Sequence, residues 1–80
     1  MAIERNWRKR INIDPGILDG KPVIAGTRVP IQLIVGDLAN GMSVEEVCEA
    51  YRITERDVRA ALMYAAETVA DEIVHALPSR

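Results

Sequence analysis

The chain has 80 residues, 49% hydrophobic and 28% charged, with a formal net charge of −2, one cysteine and one histidine. That is the profile of one soluble domain with a small core, in which neither a second domain nor a Cys/His zinc site is expected and a single cysteine allows no intrachain disulfide; the lone thiol suits a reducing cytoplasm. No run of 18 apolar residues and no apolar leader core occurs, so neither a membrane span nor export is expected.

Charge is polarised along the chain. Residues 1–40 hold six basic and four acidic side chains, residues 41–80 four basic and eight acidic. The basic excess sits in "ERNWRKR", where Arg5, Arg8, Lys9 and Arg10 surround Trp7. Residues 1–10 therefore read as a basic N-terminal arm suited to phosphate contacts in a groove; the same composition also fits a frayed, solvated terminus. Residues 11–80 read as a single hairpin plus helix-turn-helix domain. "INI" at 11–13 alternates like a short strand and "DPG" breaks it. "KPVI" and "TRVPI" flank Ala25-Gly26, the pattern of a hairpin whose prolines, Pro22 and Pro30, fall at its ends or on an edge. So rigid a turn would present Thr27 and Arg28 to a partner. Arg28 would hold a phosphate or a partner's carboxylate, or else pair at home with Asp37 or Asp19. Pro30 also opens a helix over "IQLIVGDLA", which Gly41 ends.

Two further helix starts follow. Ser43 with Glu46, and Thr54 with Asp57, have the spacing in which each side chain bonds the other residue's amide, so helices should begin at about 44 and 55. Val44, Val47, Cys48 and Tyr51 share a face, which makes Cys48 a core residue rather than a nucleophile. Only Arg52 and Ile53 separate the first helix from the second cap, and so short a link forces a steep crossing, as in a helix-turn-helix. The candidate DNA-binding residues are Arg5, Arg8, Lys9 and Arg10 on the arm, with Arg52, Thr54, Arg56 and Arg59 around the second element. Glu55 and Asp57 would repel phosphates there, which favours a protein-interaction module without DNA binding as the alternative.

The last helix could run from Thr54 to Leu77, about 36 Å at 1.5 Å per residue, longer than so small a domain can cover. Val58, Leu62, Ala65, Val69, Ile73 and Leu77 form a stripe along it. Its distal part, with Val69, Ile73 and Leu77, needs the same helix of a second subunit, a partner protein, or the hairpin folded back upon it. His75 near the C-terminal end suits the helix dipole better than a ligand role. No nucleophile lies beside a base and no phosphate loop of the recognised patterns occurs, so neither an enzyme nor a cofactor or metal site is expected.

The order "INIDPGILDGKPVIAGTRVPIQLIVGDLANGMSVEEVCEAYRITERDVRAALMYAA", residues 11–66, resembles the small bacterial and archaeal family catalogued as domain of unknown function 433. Its "GKPVIAGTRVPI" segment is the specific part; the helix-turn-helix alone is generic. Ala25 stands where the family often has arginine, and Arg52 where a proline often follows the tyrosine. The resemblance implies a mainly α fold, a homeodomain-like three-helix bundle with an N-terminal β-hairpin. It also implies an antitoxin of a type II toxin–antitoxin module: a dimeric helix-turn-helix protein that neutralises a toxin with a PIN-like ribonuclease fold and binds its own operator DNA.

Overall fold

The computed structural model describes the backbone of residues 5–76 and the side chains of residues 5–72. Three α-helices form the body: α1 (Ile31–Ala39), α2 (Val44–Tyr51) and α3 (Glu55–Ala76), with a two-stranded antiparallel sheet of β1 (Ile11–Asn12) and β2 (Val23–Ile24). Fold class and helix starts agree with the sequence reading.

The local reasons are visible at each helix start. Ser43 Oγ accepts the Glu46 amide at 3.0 Å while the Glu46 carboxylate accepts the Ser43 amide at 2.8 Å. Thr54 and Asp57 repeat the exchange at 3.2 and 2.9 Å. Each pair satisfies two amides that a helix start otherwise leaves without partners. α2 ends where Arg52 turns left-handed (φ 56°) and the Ile53 amide reaches back to the Cys48 carbonyl. Ile53 is thereby driven into the core.

The hairpin differs in its pairing from the expectation. The residues expected to flank Ala25-Gly26 do form a tight reversal: the Thr27 amide bonds the Ile24 carbonyl, with Gly26 at φ 79°. Its outgoing limb pairs back through the bridge of Val23 with Pro30, where the Ile24 amide bonds the Val29 carbonyl at 3.0 Å and the Ile31 amide the Pro22 carbonyl at 2.9 Å, before α1 begins. The ladder is instead made with β1, Ile11 opposite Ile24 and Asn12 opposite Val23. The limb goes no further because α1 begins at Ile31, so β2 lies between this limb and β1.

Ile24, Ile31, Ile34, Val47, Ile53, Val58 and Ala61 form the core, drawn from the sheet, all three helices and the α2–α3 turn. Trp7 is also buried. It lies in one turn of 3-10 helix, Trp7–Arg10, which packs along α3. Within the arm expected over residues 1–10, residues 7–10 thus lie against α3, because an indole gains far more by covering apolar helix surface than by staying in water. Residues 1–4 lie outside the described residues.

Ala66 to Glu72 of α3 are exposed on every side. The radius of gyration, 13.5 Å, exceeds the roughly 12 Å of a compact chain of this length, because α3 projects beyond the body.

Candidate nucleic-acid interface

The α2–turn–α3 unit has the form of a helix-turn-helix, and the start of α3 carries the charge. Successive helix residues lie about 100° apart, so Arg56 and Arg59 are about 60° apart, on the side turned away from Val58 and Ala61. Both α3 carboxylates at this end are held. Glu55 pairs with Arg59 at 3.3 Å, one turn on. Asp57 uses one oxygen to accept the Thr54 amide and the other to meet Arg10 at 3.1 Å. The Arg10–Asp57 pair is mostly shielded from water, so it is less screened than a surface pair. Farther along, Arg8 pairs with Glu67 at 2.6 Å and lies over the Trp7 ring, 4.5 Å from its centre. Trp7 burial thus brings Arg8 and Arg10 onto α3. Lys9, Arg5, Arg52 and Arg56 are exposed.

The expected site residues divide accordingly. Arg8, Lys9, Arg10, Arg56 and Arg59 gather along α3, with Thr54 spent on capping the helix. Arg52 sits in the turn, where its left-handed backbone serves the α2–α3 crossing. Thr27 is turned inward: its hydroxyl donates to the Ile24 carbonyl at 2.7 Å and accepts the Val29 amide at 3.0 Å. Arg28 is exposed and makes no ion pair among the described residues. Asp37, one of its expected home partners, instead accepts a hydrogen bond from the Tyr51 hydroxyl. Val69 is 52% exposed on the projecting part of α3. The Ile73 side chain and Leu77 lie outside the described residues.

Three side-chain contacts escaped sequence reasoning, Arg10–Asp57, Arg8–Glu67 and Tyr51–Asp37. The first two had a signal in Trp7 and Ile11, four apart and apolar amid cations, which marks a docked segment. The third had none. Cys48 is half-buried and packs on the core; burial first, then the nearby charges of Glu55, Asp57 and Glu45, pushes its thiol pKa up, away from nucleophilic use. Among the described residues no helix is long and apolar enough to cross a membrane.

Residues 11–65 match a family described as a protein of unknown function, DUF433. The uncharacterized protein y4eO of Sinorhizobium fredii (strain NBRC 101917 / NGR234) is 39% identical over 59 residues, 72% of this chain and 27% of that protein. The crystal structure of Rv2018 from Mycobacterium tuberculosis superposes with a TM-score of 0.60 at 31% identity, over 65% of this chain and 24% of that one. The chain thus spans about a quarter of the length of each of these relatives. With more than half of its residues inside that match and a relative's fold in agreement, the chain belongs to the DUF433 family.

Proposed function

We propose that the protein is a non-enzymatic, cytoplasmic DNA-binding antitoxin: a homodimer that binds operator DNA through α3 and neutralises a PIN-like ribonuclease toxin. The observation that carries the DNA half is the neutralised start of α3. Glu55 and Asp57, the carboxylates that argue against phosphate contact, are held by Arg59 and Arg10, while Arg56 is exposed at the same end of α3. The carboxylates at the helix end that would enter a major groove are therefore compensated, which lowers their repulsion of phosphate. The toxin half rests on the family resemblance and on Val69, exposed on the distal part of α3, where a protein surface could cover it.

The protein-interaction reading without DNA is favoured by one observation, the exposure of Leu62 and Val69 at 41% and 52% along that stripe. A gel-shift titration with DNA from upstream of its own gene, at two salt concentrations, separates the two. Phosphate contacts make affinity fall with salt, about 0.9 in log K per log salt for each phosphate neutralised. Absence of binding at low salt ends the operator reading and leaves the interaction module.

A further inference from the structure

Three features that each cost the isolated chain stability line one groove. The first is the backbone at Leu18 and Asp19, with φ of 47° and 57°. The left-handed conformation crowds the Cβ of any L-residue, and a leucine has no polar atom to bond locally in compensation. The second is Gly36, in the interior of α1. A Cβ built there meets nothing within 4 Å, so no neighbour in the chain demands glycine, although glycine weakens a helix interior relative to alanine. The third is apolar exposure: Leu18 and Leu33 are 38% and 43% accessible. The groove they line has a volume of about 570 Å³, and Asp19, Lys21 and Asp37 line it as well.

We propose that this groove is the contact between two copies of the chain, with α1 of one copy crossing α1 of the other at Gly36. The argument is charge. A two-fold contact uses the same patch twice, so the patch must complement itself. This groove holds both signs: Lys21 from the segment entering β2, and carboxylates from Asp19 and Asp37. Across a two-fold axis each copy's Lys21 meets the other's carboxylates, and the pair forms twice. The bare Gly36 backbone lets the helices approach closely, and Leu18 and Leu33 of both copies close over it.

The inference rests on the dimeric part of the reading above and selects its surface. Leu62 of the α3 stripe lies about 60° from Arg59 around the helix, so pairing through α3 would cover the side that meets DNA. Pairing through α1 leaves Arg56, Arg59 and Val69 accessible to DNA and to a protein partner.

Sedimentation equilibrium on the full chain tests it. A dimer is expected for the unsubstituted protein. Gly36→Leu and Lys21→Glu should each weaken dimerisation at least about tenfold, and Val69→Glu should leave it unchanged. Asp19→Lys added to Lys21→Glu should restore the dimer, since swapped charges still complement one another across the axis. Lys21→Glu alters one exposed charge, so it and its rescue decide the matter even where Gly36→Leu folds poorly. A monomer at high micromolar concentration overturns both this contact and the dimer itself. A dimer that Val69→Glu dissociates, but Gly36→Leu and Lys21→Glu do not, overturns the α1 contact alone and leaves the dimeric reading standing.

Discussion

Gly26 shows what a single position can demand. With φ at 79° and nothing within 4 Å of an added Cβ, the obstacle to another residue there is backbone conformation rather than space. Gly26→Val is expected to destabilise the fold by about 1–2 kcal/mol, since a β-branched side chain is strained at positive φ. Arg28→Ala, two residues on at an exposed position, should stay within about 0.5 kcal/mol of the parent. Thermal melts of the pair check this, and equal losses would make Arg28 part of the scaffold and remove it from the partner surface. Tyr51 supplies a pH test. Its hydrogen bond to Asp37, then burial, then the Asp37 charge, holds its pKa above the ordinary value. The folded protein therefore keeps this proton longer than the unfolded chain, and the contribution is complete below the ordinary tyrosine pKa of about 10 and lost as pH rises through the folded value. Alkaline titration of stability should accordingly fall more steeply for the parent than for Tyr51→Phe. Matching curves would show that the contact adds nothing in solution.

At the scale of elements, the caps and the docked turn are separable. Ser43→Ala should cost about 1 kcal/mol by leaving the first-turn amide of α2 without its acceptor. Asp57→Ala should cost more than Ser43→Ala, because the same carboxylate caps α3 and anchors Arg10, 47 residues away. Equal losses in urea denaturation would mean that the Arg10 pair is worth no more than an exposed one. Trp7→Ala should cost about 3 kcal/mol, as a buried aromatic removed from a small core does. It should also release Arg8 to Arg10 from α3, visible as faster amide exchange over Trp7–Arg10.

For the whole molecule the issue is which surface meets which partner. Deleting residues 1–6, which spares Trp7, should weaken binding to all DNA sequences alike and lower its salt dependence, since Arg5 would contact phosphate only. Arg56→Ala should instead alter sequence preference. Gel-shift titrations against the upstream region and a scrambled duplex distinguish the two, and identical losses on both duplexes for Arg56→Ala would place it on the backbone rather than on base edges. Val69→Glu, at a position half in water, should barely move the melting temperature while weakening capture of a protein partner on α3.

What the sequence determined by itself was local. Both capping exchanges act over three residues, the Gly26 reversal over four, and the two-residue link between α2 and α3 leaves few geometries, so the residue types at those spacings were sufficient. Family membership was legible for the same reason, in the contiguous "GKPVIAGTRVPI" segment and the helix signals after it. What only the tertiary structure decided lies between distant residues: β1 as the ladder partner of β2, Trp7 docked on α3, Arg10 meeting Asp57, and Tyr51 meeting Asp37. Such contacts must offset the entropy of closing long loops, and which of several competing apolar or charged partners succeeds depends on where the packed helices place them. The left-handed Leu18–Asp19 turn belongs with these. No local preference asks for it, and only the course of the chain between β1 and β2 requires it.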